Sequence, residues 1–529
     1  MTVVTRRRPG WGLTSAAAVV ALAFVGPLAY VAWRNLTTGA DLWSELRQGQ
    51  AFASLGRTVV LATTVSAGAA VLGTTLAWLL TRSDVPGRRL WRVLVPLPLV
   101  FPSFVGALAF LNAFAEGGLV EEWFGVRELV ELRGWFGAWL VLVLFTQPYV
   151  YLPVAARLAA LPPSLEESAR LLGRSPRSVF RTVVLPQTSG AVWAGTLLVF
   201  LYTVSEFGAV QLMGYRTLTV EIFANRLFDQ ERAFGLALVL GLLALAVATA
   251  ERVVGRRRAR TEVGGGRRPL QVGLGAWRWP ALGLVGGVVG LGLMAPVVAL
   301  GHWAVRGLQG ERVGRELADS LGDLTLPAAN TALVSLAAAA VAAVVVLPVA
   351  YLTTRHRTRT GGVANAVVAS GFALPGLVVA LALVFWTLNT PGVGALYQTV
   401  PVLIFAYVVH FGAQSMRAAQ VAVGGIPHRL EDAARTLGAG PVRRFATIDV
   451  PLMLPGLLAG AGLVLLSTMK ELPATLVLRP TSFETLALRI WDAQEGGFLG
   501  EVGVAATVLV LGSAVLTWLL VVRRADRFA

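Results

Sequence analysis

The chain has 529 residues, 56% of them hydrophobic and only 14% charged, with a mean hydropathy of +0.69. An ordinary soluble domain carries about 25% charged residues, so this composition points to an all-α polytopic membrane protein. The complete lack of cysteine excludes disulfides, thiolate zinc sites, iron–sulfur clusters and cysteine nucleophiles, and the net charge of +16 argues for nucleic acid only if its distribution allows it.

The chain opens with Arg6, Arg7 and Arg8 before an apolar run. That resembles a signal peptide, but the run is long and no small-residue cleavage site follows, so it reads as a retained first helix. Spanning the hydrocarbon takes about 20 apolar residues. The apolar runs predict spans at 12–33, 58–81, 93–114, 136–156, 188–210 and 234–254, then at 279–303, 329–352, 363–388, 399–416, 453–472 and 500–522. This gives about twelve helices, six per half. The runs are continuously apolar rather than alternating, which disfavours transmembrane strands.

With the N-terminus inside, the clusters Arg6 to Arg8, Arg82 to Arg92, Arg252 to Arg278, and Arg523 with Arg524 all fall on the cytoplasmic side. That is the positive-inside bias. It accounts for the net charge without nucleic acid and puts both termini in the cytoplasm. The halves divide as 1–255 and 279–529, joined by a basic, Gly-rich cytoplasmic linker over 256–278.

The two halves are internally similar. LAWLLTR (Leu76 to Arg82) matches VAYLTTR (Val349 to Arg355). Phe101 to Phe110 matches the stretch from Leu374 to Phe385, with Pro102 opposite Pro375. The clearest repeat is polar: ESARLLGRSPRSVFRTVVLP (Glu167 to Pro186) and DAARTLGAGPVRRFATIDVP (Asp432 to Pro451). In each copy an acid is followed by Gly after six residues and by Pro after nineteen. Both halves start on the same side of the membrane, so the repeat is parallel, with its pseudo-two-fold along the membrane normal.

The polar loops, 158–187 and 419–452, read as helix–turn–helix units. Ser164 precedes Glu167 at capping-box spacing. Gly173 and Gly438 suit left-handed helix ends, and Ser175–Pro176 and Gly440–Pro441 suit fresh helix starts. A solvated connector needs no such repetition. Two copies predict docking helices that insert into a groove on a cytoplasmic partner. The acids Glu167 and Asp432, the basic Arg170 and Arg435, the small Ala169, Ala433 and Ala434, and the terminal Pro186 and Pro451 set the fit.

On these residues the chain resembles the binding-protein-dependent ABC importer permeases. The acid, small residues, Gly and Leu-Pro of that family's EAA loop fall on Glu167, Ala169, Gly173, Leu185 and Pro186, and on Asp432, Ala433, Ala434, Gly438 and Pro451. Ser168, Asp432 and Val450 are mild departures. The resemblance implies two tandem six-helix MetI-like domains of type I. It also implies a multi-pass location in the cell's inner membrane, two copies of a cytoplasmic ABC ATPase, and an extracytoplasmic substrate-binding protein. ATP and Mg belong to the partner, and no cofactor is expected on this chain. The only lysine is Lys470, so a Walker A GK pair is absent and no catalytic residues are assigned.

The stretches Val204 to Phe223 and Ser467 to Trp491, with Lys470-Glu471-Leu472-Pro473-Ala474-Thr475, are similar to ferric-iron permeases. The resemblance therefore implies ferric iron as cargo, with thiamine or another small solute as the alternative. Glu206, Lys470 and Glu471 are candidate pathway residues, and the two acids are expected near the outer ends of their helices. Ionisable groups inside a membrane are rare and often mark a path, and ferric iron prefers oxygen ligands. The alternative is that Glu471 pairs with Lys470 or Arg479 in outer water. A gradient-driven secondary transporter also uses six-plus-six repeats, but would need ionisable groups deep in several spans.

His302, His356, His410 and His428 show no metal-ligand spacing, and no firm metal site is expected. Trp11, Trp33, Trp43, Trp277, Trp279 and Trp303 suit interfacial anchoring. The GxxxG spacings between Leu282 and Leu293 predict close helix packing.

Overall fold

A computed structural model describes residues 9–38, 49–116, 118–125, 132–258, 270–309, 322–517 and 519. Arg6 to Arg8, Trp43, residues 259–269 of the predicted linker, Arg523 and Arg524 lie outside the described residues. Within them the backbone is helical apart from turns and one isolated bridge, Ser83 with Val272. Hydrocarbon offers no partner to a peptide group, so apolar segments close their hydrogen bonds internally as helices.

Ten helices are long and apolar enough to cross a membrane, the first at Trp11–Thr37 and the last at Leu499–Leu516. Two predicted spans are not straight. Arg88–Val100 meets Ser103–Phe114 at 96°, and Arg359–Gly371 meets Gly376–Asn389 at 102°. Proline causes both breaks. Pro102 forces the residue before it out of the helical region, and Phe101 is extended at φ −77°, ψ 136°. Pro102 and Pro375 then cap the second limbs with extended ψ values of 141° and 137°. Each bent pair counts as one span, giving up to twelve in all.

The halves are interlocked. The first helix, Trp11–Thr38, packs against the two limbs Arg359–Gly371 and Gly376–Asn389 of the second half's bent span. The second half's Ala295–Leu308 reciprocates on Ser103–Phe114. One buried cluster therefore joins Leu108 and Leu142 to Val288 and Leu300, and another joins Phe24 and Leu236 to Leu377 and Tyr407. The chain midpoint is not a boundary between two separate cores.

Six crossings separate the two polar loops, from Phe180–Ser205 to Val400–Gly424 with the bent pair counted once, so both loops emerge on the same side.

Two sequence expectations fail here. A Cβ placed on Gly283, Gly286, Gly287 or Gly290 would meet nothing within 4 Å. The GxxxG spacings therefore mediate no close packing among the described residues, and their face points out from the bundle. Trp11, Trp33, Trp277 and Trp279 are exposed, as interfacial anchors would be, but Trp303 is buried against the bundle instead.

Candidate coupling loops and central cavity

The two polar loops fold alike. Their first helices are Pro163–Leu171 and His428–Thr436, capped by Pro162 and Pro427 with extended ψ of 127° and 132°. The predicted capping box is absent: Ser164 lies inside the helix, and no side chain caps it. Pro163 at the first helical position is preset for the helix and lacks an N–H that needs a cap, so the helix starts earlier than the serine.

Both helices end in a Schellman motif. Gly173 N donates to Arg170 O at 2.9 Å and Arg174 N to Ala169 O at 3.2 Å. Gly438 N donates to Arg435 O at 3.0 Å and Ala439 N to Ala434 O at 2.9 Å. Gly173 and Gly438 sit at φ 77° and 75°, which disfavours a Cβ. The chain restarts where expected. Ser178 N donates to Ser175 Oγ at 3.4 Å, and Gly440 caps a turn with Pro441 at its start. A π-turn follows in each copy, Phe180–Val184 and Phe445–Asp449, before the long helices that carry Pro186 and Pro451 in their first turns.

The acids divide their work. Glu167 and Asp432 are exposed, and so are Arg170, Ala433 and Arg435, whereas Ala169 and Ala434 are buried against the bundle. The residues just before the acids, Glu166 and Glu431, point inward. Glu166 Oε1 stands 2.5 Å from Arg82 Nη1, with both side chains buried, and Arg82 Nη2 donates to Leu158 O at 2.9 Å. In the second half Arg355 Nη2 lies 3.5 Å from Glu431 Oε1 and donates to Ile426 O at 2.6 Å. The repeated LAWLLTR and VAYLTTR segments end in these arginines. The sequence therefore held the signal for both clamps, although the repeat alone does not single out Glu166 and Glu431. Beside the outward acids, Leu171, Leu172, Leu437 and Val442 are each at least 80% exposed. Apolar side chains held out on a rigid polar turn are suited to a partner's groove.

Glu206, Lys470 and Glu471 come together in one cavity of ≈ 170 Å³. It lies between the halves, at the breaks of the bent spans. Its walls pair by the repeat offsets: 372 − 99 gives 273, while 414 − 149, 467 − 202 and 471 − 206 give 265. The cavity accordingly presents Leu99 with Phe372, Tyr149 with Gln414, Tyr202 with Ser467, and Glu206 with Glu471. Both acids are buried here, not at an outer mouth. They follow the ends of Leu185–Ser205 and Val450–Met469, but the loops beyond fold back over them.

Each carboxylate is hydrogen-bonded, as a buried acid must be. Glu206 accepts from Ser103 Oγ at 2.8 Å and from Ala209 N at 2.9 Å, and Tyr202 donates to Ser103 at 3.0 Å. Glu471 accepts from Ala474 N at 3.1 Å, and from Thr475 N and Thr475 Oγ1 at 3.3 and 3.2 Å. It pairs with neither Lys470 nor Arg479. Lys470 Nζ donates across the half interface to Leu99 O at 2.8 Å, and Arg479 binds Asp492 at 3.1 Å.

His410 lines the cavity with its ring stacked on Phe372. His302 lies 3.2 Å from Glu122, and the side chain of His428 is outside the described residues. No group of three His, Asp or Glu side chains able to hold a metal ion occurs among the described residues.

Sequence comparison relates the chain to known transport proteins. The family model "binding-protein-dependent transport system inner membrane component" matches twice, at residues 69–260 and 342–527. The "Fe(3+)-transport system permease protein FbpB 2" of Haemophilus influenzae is 29% identical over 520 residues, 97% of this chain and 98% of its own. The sulfate transport system permease protein CysT of Escherichia coli is 33% identical over 188 residues, 36% of this chain and 66% of its own. CysW of Synechocystis, another sulfate transport permease, is 30% identical over 194 residues, 35% of this chain and 70% of its own.

Proposed function

The chain belongs to the family of binding-protein-dependent transport system inner membrane components, and from that premise we propose that it is both permease halves of an ATP-driven ferric-iron importer. It is a transport subunit and spans the inner membrane several times. Two copies of a cytoplasmic ATPase dock on the loops around Glu167 and Asp432, and an extracytoplasmic binding protein delivers the ion. Both termini lie in the cytoplasm.

In this reading ATP closes the ATPase dimer and draws the two loops together. The loops are clamped to the bundle through Arg82 and Arg355, so their movement tilts the halves about the central cavity. Nucleotide acts by favouring one of two arrangements, and hydrolysis restores the other.

The observation that carries the cargo assignment is the carboxylate pair Glu206 and Glu471 in the inter-half cavity. Two acids with hydroxyl and carbonyl oxygens around them offer hard ligands to a hard cation. Against a sulfate dianion, two ionised carboxylates outweigh the single cation Lys470 in the same cavity. Every site on a path must also release its ion, and the protein donors already bonded to the two carboxylates compete with tight ligation. The end-to-end match to an Fe(3+)-transport permease supports the same cargo.

The test is gentle purification from native membranes, followed by native mass spectrometry and metal analysis. Two ATPase copies with an iron-loaded binding protein support the proposal. The same ATPase with an iron-free binding protein overturns the cargo, and thiamine or another solute takes its place. A lone 55.9 kDa chain after cross-linking overturns the importer in favour of a gradient-driven transporter.

A further inference from the structure

The two docking loops look interchangeable in sequence, but they are wired differently to the membrane helices behind them. In the first half the support is the ion pair Arg82–Glu166 with apolar groups around it. Val179 precedes the π-turn and Val184 ends it, and Phe180 meets Trp78 edge-on at 6.2 Å. In the second half the equivalent aromatic contact is kept, Phe445 with Tyr351 at 6.2 Å. The valines, however, are replaced by charges: 444 − 265 is 179, and 449 − 265 is 184.

Arg444 uses both ends of its guanidinium. Nη1 lies 3.4 Å from Glu431 Oε2 on the docking helix, and Nη2 lies 3.3 Å from Asp449 Oδ2 at the base of the next span. Tyr351 Oη donates to the same Asp449 oxygen at 3.3 Å, reaching in from the span that ends near Arg355. Asp449 has no exposure at all. A single cation thus ties the docking helix, the π-turn and two spans together. The planar guanidinium suits such a double engagement, because its geometry is fixed before either contact forms.

We propose that Arg444 and Asp449 are positioning residues that make the second docking loop the rigid lever of the pair, while the first loop is hinged at its apolar π-turn. A π-turn interrupts regular helical hydrogen bonding and is frequent at functional sites. In the second half the Glu431–Arg444–Asp449 chain spans that turn and locks it. In the first half the matching positions, Val179 and Val184, offer only apolar packing. Of the polar bonds nearby, that from Arg174 Nη1 to Thr182 Oγ1 at 2.9 Å is exposed and stops inside the turn, and that from Arg157 Nε to Gln187 O at 3.0 Å joins a span to the helix beyond the turn without reaching the docking helix. ATPase closure therefore displaces the second loop and its spans as one body, and part of the first loop's displacement is absorbed at its hinge. This rests on the loops being docking loops, so the test begins with a measurement that needs no partner.

Hydrogen exchange on the purified full chain in detergent compares residues 162–185 with 427–450. Local opening reports local stability, and amides of the second segment are expected to exchange about tenfold more slowly than those of the first. Equal or reversed rates overturn the proposal whether or not the importer reading stands.

The second measurement converts the second half into the first half's own solution, with Tyr351→Trp, Arg444→Val and Asp449→Val together. A buried ion network replaced by matched apolar groups is often neutral in stability, and these residues already work in the first half. With the ATPase still co-purifying, cargo moved per ATP hydrolysed is expected to fall about tenfold as binding energy is lost into hinge motion. An unchanged ratio in a folded, ATPase-bound triple variant overturns the lever. Should the triple variant fail to fold, the same ratio is read in Arg444→Lys. The shorter ammonium of that variant keeps one contact at a time, and a smaller loss is expected. A ratio equal to that of the parent contradicts the double engagement.

Discussion

Glu206 and Glu471 face one cavity from opposite halves, yet each is held by a tyrosine-backed hydroxyl from a different element. Glu206 takes the hydroxyl of Ser103, backed by Tyr202. Glu471 takes that of Thr475, whose Oγ1 lies 2.5 Å from Tyr407 Oη. The position equivalent to Ser103 is Gly376, since 376 − 103 is 273. There a Cβ would stand 2.7 Å from Glu471 Oε1. The pseudo-symmetry of the fold places the acids, while different neighbours satisfy them.

That contrast predicts unequal results from equal-looking substitutions. Ser103→Ala removes one hydrogen bond to a charged acceptor, worth about 1.5–3 kcal/mol, and Ala209 N still holds Glu206. Cargo uptake is expected to fall severalfold. Gly376→Ala brings a methyl against Glu471 Oε1, so the carboxylate must shift in its amide cradle. Uptake in membrane vesicles is expected to fall further than in Ser103→Ala and to match Glu471→Gln.

Lys470 fastens the two halves at the cavity by its bond to Leu99 O. Its counterpart is Ser205, since 470 − 205 is 265, so the fastening is one-sided. Lys470→Met keeps the aliphatic bulk and removes the bond. The arrangement that Lys470 favours is weakened by about 1–3 kcal/mol. ATP hydrolysis without cargo is therefore expected to rise severalfold in the reconstituted complex. Unchanged basal hydrolysis contradicts a fastening role.

The glycines that end the two loop helices are open to solvent but not to substitution. Nothing lies within 4 Å of a Cβ at Gly173 or Gly438, yet both have positive φ. An L-residue there costs about 1–2 kcal/mol, and a β-branched one costs more. Gly173→Val and Gly438→Val are expected to leave the chain in the membrane at near-normal levels and to abolish transport. Normal uptake in both variants contradicts the docking assignment.

The clamp behind the first loop predicts a stability asymmetry. Arg82→Met leaves Glu166 buried and unpaired, which costs about 3–5 kcal/mol. Arg82→Met with Glu166→Leu removes both charges and is expected to recover most of that loss. Thermal unfolding in detergent distinguishes the two.

Much of this is legible in the sequence, because hydropathy and repetition act over many residues at once. Span number, the parallel repeat, the loop glycines and the correspondence of Glu206 with Glu471 all follow from runs or offsets, but the burial of both acids in one cavity does not, because position at a helix end says nothing of the loop that follows. What escapes is decided by single competing contacts. Pro162 and Pro163 override the Ser164 capping box. Pro102 and Pro375 bend two spans that hydropathy reads as straight. The inward roles of Glu166 and Glu431 stay hidden, although Arg82 and Arg355 are visible as a repeat, because hydropathy does not show which acid of a neighbouring pair faces the bundle. The glycines between Leu282 and Leu293 look like a packing motif, but spacing carries no information on whether a partner helix lies opposite.

The proposed function is ATP-driven movement of ferric iron through the cavity of Glu206 and Glu471. The most direct test is uptake by liposomes holding the chain with its ATPase and its loaded binding protein, with radiolabelled iron and radiolabelled sulfate offered in parallel. Iron accumulation is expected to require ATP, to be lost in Glu206→Gln with Glu471→Gln, and to have no sulfate counterpart. ATP-dependent sulfate uptake, or iron uptake that follows an ion gradient without ATP, contradicts it.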